Sequence, residues 1–419
     1  MEVILRIGGA FAQDTWGLLS LALPYVVYFL PFFLAYLLWE SYLAFIHERY
    51  INKEERIMLE IKIPKEITKS PAAMELLLHA FYQTYEGEMV DQYVKGNVRA
   101  WFSLEVASFG GDIHFYFNIP KFFKDLIEAQ TYSQYPEVEI FQVDDYTEGV
   151  TFGLPDSPWD IAGWEWKFSK ADVYPIKTYY DYGLEKDPKE EYKIDPMTPM
   201  LEFLGSLRQD EQVWFQILIM GSKDRFPIPN KKAKWYNFFS KVEMKSWKDA
   251  AENEIKKILK RDEKTEDVGS WMRLAMSPGE RNLAEAVERQ LGKFGFDVGI
   301  RAIYASKESL RAITKVGVGN SIKQFGAPGM NGFKVVPNIS GLNNPWEDFR
   351  GFRAKRLKKR VFKYFRERAY FYPPASKPPM VMTTEELATI YHFPGKVVTT
   401  PTLGRIPSKR GEPPVNLPL

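Results

Sequence analysis

Any chemistry performed by this 419-residue chain has to be built from four histidines, its serines, threonines, lysines and carboxylates, because it contains no cysteine. The lack of cysteine removes thiol nucleophiles, disulfides and cysteine-ligated zinc, and fits a reducing compartment for the folded part. His47, His79, His114 and His392 are scattered, and no two have the spacing that would put both imidazoles on one metal. His79 falls on a helical pattern and reads as a packed or surface side chain rather than a base. A serine nucleophile would need a strained Gly-x-Ser-x-Gly turn, and the sequence has none. Asp144-Asp145 and Glu190-Glu191 are adjacent carboxylates, and chain neighbours do not converge on one substrate. A phosphate-cradling loop needs Gly-Lys followed by Ser or Thr, but Gly292-Lys293 and Gly395-Lys396 precede Phe294 and Val397. The glycine-rich stretch Gly317–Gly332 does not join a strand directly to a helix, as a dinucleotide site requires, and reads as a flexible loop. The expectation is a protein that is not an enzyme and holds no cofactor or metal.

Binding chemistry is more visible. The stretch "PWEDFRGFRAKRLKKRVFKYFRERAYFYPP" holds ten basic residues and one acid, Glu367, between Arg350 and Arg368. Phe352, Leu357, Val361, Tyr364 and Phe365 recur at loose helical spacing. One reading is a solvated helix whose apolar edge packs on a neighbouring domain. The other is a contact surface in which Arg353, Lys355, Arg356, Lys358, Lys359, Arg360 and Lys363 meet a nucleic-acid backbone, an anionic lipid surface or a protein.

These residues need a scaffold, and the composition supplies one. The chain is 45% hydrophobic, 26% charged and 15% aromatic with a net charge of +2, enough to bury large cores. Near the N-terminus, Gly17 to Trp39 runs without a charge, and as a helix would span about 34 Å, a bilayer's hydrocarbon thickness. Trp16, Tyr36 and Trp39 suit the two interfaces, and Pro24 and Pro31 are kinks that membrane helices tolerate. The flank "ESYLAFIHERY" lacks the small-residue cleavage site of a signal peptide. Only Arg6 precedes the span, whereas Arg49, Lys53, Arg56, Lys62 and Lys65 follow it, which orients the N-terminus outward and the remainder toward the cytoplasm. The expectation is a single-pass protein of the cytoplasmic (inner) membrane.

After the anchor and its flanks (1–48), residues 54–148 follow the order strand, helix, strand, strand, helix, strand. Ile57, Leu59, Ile61 and Ile63 alternate, Ser70-Pro71 opens a helix, and Gly110-Gly111-Asp112 turns a hairpin. That order is the ferredoxin-like, split βαβ pattern. A tryptophan-rich connector, "SPWDIAGWEWKFSKADVYP", leads into a second α/β unit over 149–344, with a helical insertion at about 222–275. Ser277 and Glu280 form a capping box at its helix "SPGERNLAEAVERQL". The basic helix occupies 345–372. Residues 373–419, with ten prolines, read as a Pro-rich C-terminal linker or tail containing one short helix capped by Thr383 or Thr384. The fold class is therefore α+β: a transmembrane helix, two ferredoxin-like units, a basic helix and a tail.

The stretches "LEIKIPKEITKSPAAMELLLHAFYQT", "WFSLEVASFGGDIHFYFNIPKFFKDLIEAQTYSQYPEVEIFQVDDYT" and "MVMTTEELATIYHFPGKVVTTPTLGRIPSKRGEPPVNLP" carry a resemblance over most of the chain. It resembles the membrane-anchored N-terminal region attached to, or encoded beside, HerA/type IV secretion-like (conjugative) DNA-translocating ATPases of candidate-phylum (Patescibacteria-type) bacteria. In the longer relatives "SKRGEPPVNLP" leads into the ATPase core. The ATPase motifs lie outside this sequence, so the resemblance transfers no catalytic residue. It implies a membrane-anchored, non-catalytic adaptor or assembly domain of a type IV secretion-like DNA or protein translocation machine. Its partners would be the lipid bilayer, a separately encoded HerA-type ATPase, DNA and further copies of the chain as a homo-oligomer. Two other readings stay open: a stand-alone structural membrane scaffold, and an enzyme with an unrecognised carboxylate site.

Overall fold

Every second residue of Arg56–Pro64 is a β-branched or leucine side chain, and this stretch forms the first strand, β1. In the computed structural model, the described residues are 28, 30–64, 69–153, 157–184, 195–223, 226–227, 244–245, 247–258, 277–337, 339, 348, 351–395 and 405–406. The chain divides into two units, one of Met1–Lys53 with Glu86–Val98, the other of Glu54–Tyr85 with Arg99–Leu419.

Within the described residues, the first unit is built on helix α1 (Leu30–Lys53), which is long and apolar enough to cross a membrane. The sequence places the span at Gly17–Trp39, and its first half lies outside the described residues. The helix continues well past Trp39, through Glu40, His47 and Arg49 to Lys53, so the apolar span runs without a break into a polar flank. Residues 86–98 pack beside this flank.

In the second unit, β1 is followed by α2 (Pro71–Leu78), β2 (Trp101–Phe109), β3 (Asp112–Pro120), α3 (Lys124–Gln134) and β4 (Glu139–Val143). β5 (Asp160–Phe168), α4 (Thr198–Gly205) and β6 (Glu211–Gly221) come next. A two-stranded ribbon of β7 (Phe226–Pro227) and β8 (Met244–Lys245), then α5 (Trp247–Ile258) and α6 (Pro278–Leu291), separate β6 from β9 (Gly295–Ser306). The chain ends its described course with α7 (Ala312–Asn320), β10 (Phe333–Val335), α8 (Phe352–Arg366), β11 (Met380–Thr383), α9 (Thr384–Ile390) and β12 (Arg405–Ile406).

The strands make one sheet in the order β10-β5-β9-β6-β2-β3-β1-β12, with β4 also beside β1 and β11 beside β9. All its pairings are antiparallel except β1 with β12. The first half runs β4-β1-β3-β2 and the second β10-β5-β9-β6, so equivalent strands stand in equivalent places. The halves meet edge to edge where β2 pairs with β6, from Trp101↔Met220 to Phe109↔Gln212. Joining the two edges removes two rows of open backbone donors and acceptors. At the turn between the middle strands, the first half uses only Gly110-Gly111, both at positive φ, while the second inserts the ribbon, α5 and α6.

One sheet face carries Leu59, Phe102, Leu104, Phe117, Phe215, Ile219 and Val298 against the helices, including α2 and α9. The other face carries Tyr116, Trp214 and Ile303, packed by Phe362 and Phe365 of α8. Three expectations change here. The tryptophan-rich connector contains β5, an inner strand with Trp166 in one core and Ile161 in the other. With both faces covered, it lacks the polar–apolar alternation that marks a strand. The expected linker over 373–419 also contains core: β11 extends the sheet beside β9, and every residue of α9 is buried, with Leu387, Ile390, Tyr391 and Phe393 in the main core. Of the two threonines expected to cap α9, Thr383 is the one that does, in a capping box with Glu386. The glycine-rich stretch is likewise packed. Phe325 is fully buried, and the Asn331 side chain donates to Ala171 O (3.1 Å) and Tyr174 O (2.9 Å) while accepting from Lys170 N (2.9 Å).

Candidate functional site: the basic helix and the charge row beneath it

Lysine, arginine and leucine favour helix and make up nine of the fifteen residues of "FRAKRLKKRVFKYFR", with Phe362 and Phe365 on its buried side. Asp348 caps α8 from outside: its carboxylate accepts from Arg353 N (2.9 Å) and Ala354 N (2.7 Å), a negative charge at the positive end of the helix. Phe362 and Phe365 anchor the inner side, with ring centroids 6.4 and 5.9 Å from Trp214. Each buried phenylalanine contributes roughly 2–3 kcal/mol.

Of the seven sequence-selected basic residues, Arg353, Lys355, Arg356, Lys359, Arg360 and Lys363 are exposed along the outer side of α8. Lys358 is not among them. It turns toward the sheet and donates to Asp160 at 2.6 Å. Lys363 has Glu367 at 3.8 Å, an exposed pair worth little in water. Arg366, outside the selected set, is exposed on the same helix. A cleft of about 550 Å³ opens between α8 and the 145–153 loop, lined by three bases (Lys359, Lys363, Arg366), three acids (Asp145, Glu148, Glu367) and the rings of Phe152 and Phe362. Gly153 sits there at φ +90°, a left-handed backbone conformation that favours glycine, beside the mobile end of the Lys359 side chain.

Arg368 also departs from the run. It turns inward at φ 50°, a left-handed conformation that costs a non-glycine residue about 1–2 kcal/mol. There it meets a polar row that crosses the sheet by register: Glu60↔Tyr116↔Glu105↔Gln216↔Arg301↔Glu165. Glu105, 0% exposed, accepts from Arg368 Nε (3.1 Å) and Nη2 (3.2 Å), Ser103 Oγ (2.6 Å), Tyr146 OH (2.6 Å) and Gln216 Nε2 (2.7 Å). Arg368 also grips Asp145. Arg301 donates to Gln216 Oε1 (2.6 Å), Ala369 O (2.9 Å) and Tyr364 O (2.9 Å), tying the C-terminal end of α8 to β9. Glu165 pairs with Lys377.

These surroundings hold the charges. Burial alone would raise the Asp145 carboxyl, but Arg368 draws it below its ordinary value; Arg368, despite burial, is pushed higher by Glu105 and Asp145. Burial lowers Arg301 to about 10, leaving it protonated at neutral pH. The row and its partners combine ion pairs and hydrogen bonds that clamp the C-terminal end of α8 to the sheet.

A second buried cluster clamps α9. Glu385 accepts from Arg289 Nε (3.0 Å), Gln290 Nε2 (3.0 Å) and Thr178 Oγ1 (2.6 Å). Glu75 accepts from Lys293 Nζ (2.6 Å), Tyr179 OH (2.8 Å) and Thr384 Oγ1 (3.1 Å). Burial raises Glu386 to about 7 even though the amides of Thr383 and Ile176 donate to it.

The histidines stay apart. His114 lies 2.6 Å from Glu60, His79 is edge-on to Phe294 and His392 is buried 3.2 Å from Asp195. Asp145 pairs with Arg368, and Glu190-Glu191 lie outside the described residues. Among the described residues, no three His, Cys, Asp or Glu side chains are grouped to hold a metal.

Residues 47–405 match a family described as a domain of unknown function (DUF8128), and the chain belongs to that family. No curated protein matches it.

Proposed function

We propose that this DUF8128 chain is a membrane-anchored, non-catalytic assembly domain whose basic helix α8 holds a polyanion, and that it serves as the adaptor for a separately encoded HerA-type ATPase in a type IV secretion-like translocation machine. One observation carries the binding part: the inner side of α8 is locked by Phe362, Phe365, Lys358 and Arg368, while six selected basic residues face outward. A cationic ridge held rigid before binding loses little entropy on meeting a phosphate backbone. The helix α1 supports the anchor, and the charge bias around it supports an outward N-terminus with the folded unit in the cytoplasm. The adaptor role, the DNA or protein cargo and the homo-oligomeric state are supported by the family resemblance of the quoted stretches. The strand orders β4-β1-β3-β2 and β10-β5-β9-β6 support reading each half as a ferredoxin-like unit and the pair as a duplication.

The test is retention of duplex DNA by the full chain in detergent at low salt. Arg353, Lys355, Arg356, Lys359, Arg360 and Lys363 are changed to Glu together, sparing Lys358 and Arg368. Retention should vanish, and the parent's binding should fall steeply with salt, since each phosphate contact adds about 0.9 to the slope. Unchanged retention would sink the DNA reading. Exposed Phe352 at the start of α8 favours a second reading, a scaffold whose basic helix rests on anionic lipid. It would show as binding to anionic vesicles, but not to DNA, lost in the same variant.

A further inference from the structure

Residues 86–98 separate α2 from β2 in sequence but pack with α1. Met89 and Val90 begin a helical turn that continues as a π-helix over Asp91–Lys95 and ends at Gly96, φ 77°. A Cβ on Gly96 would lie 2.4 Å from Ile46 O, so only glycine lets the two backbones meet there. Tyr93 stacks on Trp39 with ring centroids 6.0 Å apart, and Trp39 lies 5.9 Å from Tyr42. The element is therefore seated along the end of the apolar span, over about 10 Å of helix rise between Trp39 and Ile46.

It has two chemical faces. Polar side chains close on the element itself: Lys95 pairs with Asp91 at 2.7 Å, Asp91 accepts from Glu88 N at 3.1 Å, and Gln92 donates to Gly87 O at 2.9 Å. Met89, Val90 and Val94 share the opposite face with Tyr93 and are 75%, 59% and 62% exposed. Water gains nothing from these three side chains on a short element whose polar face is already satisfied.

We propose that residues 86–98 form an interfacial membrane element, with Met89, Val90 and Val94 seated in the headgroup–acyl boundary beside α1. This rests on reading α1 as the membrane anchor. Lipid is the occupant because the apolar face continues the exposed surface of α1, through Phe45, Tyr42 and Trp39 to Leu38 and Phe33. Trp39, Tyr42 and Tyr93 also form the amphipathic aromatic group suited to that depth. Glu86, Glu88 and Asp91 outnumber Lys95, so the element is net acidic and gains nothing from anionic headgroups. Its partitioning is apolar and independent of salt, unlike contacts made by α8.

The chain has no cysteine, so a spin label can be placed without background. The full chain, carrying one label at Val90→Cys, Val94→Cys, Gln92→Cys, Phe33→Cys or Glu252→Cys, is reconstituted in phosphatidylcholine nanodiscs. Collisions with oxygen and with a water-soluble nickel chelate are then compared. Labels at 90 and 94 should favour oxygen, at a depth of about 5–10 Å, with 33 deeper, 92 shallower and 252 in water, at low and high salt alike. Labels at 90 and 94 in water while 33 is in lipid would overturn the inference and keep the anchor. Position 33 in water would overturn both. Labels at 90 and 94 shielded from both quenchers and broadened by a neighbouring label would assign the face to a second copy and overturn the lipid proposal.

Discussion

Replacing Arg368 with Met tests whether the charge row holds α8 to the sheet. The guanidinium makes four side-chain contacts, two to Glu105 (3.1 and 3.2 Å) and two to Asp145, one of them at 3.1 Å. Glu105 is wholly buried and Arg368 is 3% exposed, so solvent cannot replace what is lost. Removing one member of such a pair leaves an uncompensated buried carboxylate, a cost of about 3–5 kcal/mol. Relief of the left-handed backbone is not gained with Met, which is strained there too; Arg368→Gly should recover about 1–2 kcal/mol relative to Arg368→Ala. Glu105→Gln in the Arg368→Met background removes the stranded charge, and the two costs should fail to add by about 1–3 kcal/mol. The assay is urea unfolding of the full chain in mild detergent, followed by tryptophan fluorescence, with Trp214 beneath α8 as a reporter. A midpoint change for Arg368→Met below about 1 kcal/mol, or strict additivity, would refute the clamp.

Four other outcomes follow from the packing. Glu386 is raised from 4.5 to about 7, first by burial. A raised carboxyl costs nothing below its unfolded value, and its penalty grows as pH rises from 4.5 to about 7, reaching about 3 kcal/mol and then staying level. Glu386→Gln should therefore flatten the fall in stability across that window, and an unchanged slope would show that Glu386 is not responsible. Glu211 acts in a separate window. Burial would raise it, but Arg311 and Tyr304 bring it to about 2, so its contribution is full above 4.5 and is lost only in stronger acid. Gly299→Ala puts a Cβ 2.5 Å from the Tyr370 ring and should cost about 1–3 kcal/mol in the same urea assay. Truncation after residue 372 should leave the second unit unfolded by circular dichroism, because it deletes β11 and α9, whereas truncation after residue 406 should leave it folded.

Much of the first half of the sheet was legible because its strands alternate and its turn is Gly-Gly. The capping box at Ser277, a threonine cap at 383 or 384 and the basic helix were legible for a similar reason: each is a local signal. What escaped was set by distant partners. β5 looked like a connector because tertiary packing covers both its faces. Residues 380–395 looked like a tail because prolines flank them and Glu385 and Glu386 are charged, yet Arg289 and Gln290 meet one acid and backbone amides the other. The charge row could not be read at all, since Glu105 and Gln216 become neighbours only when β2 pairs with β6. For the same reason Lys358 could not be separated from the outward residues of α8: helical spacing identifies a face, but Asp160 decides that this cation turns inward.

The adaptor reading is tested most directly by what leaves the membrane with the protein. The tagged chain is extracted from native membranes in mild detergent, and co-purifying proteins are identified by mass spectrometry, in the parent and in the six-site Glu variant of α8. A HerA-type ATPase recovered in stoichiometric amount with the parent is the expected result. Recovery of a folded, membrane-derived chain with no ATPase at any salt concentration would contradict the adaptor role and leave a stand-alone scaffold.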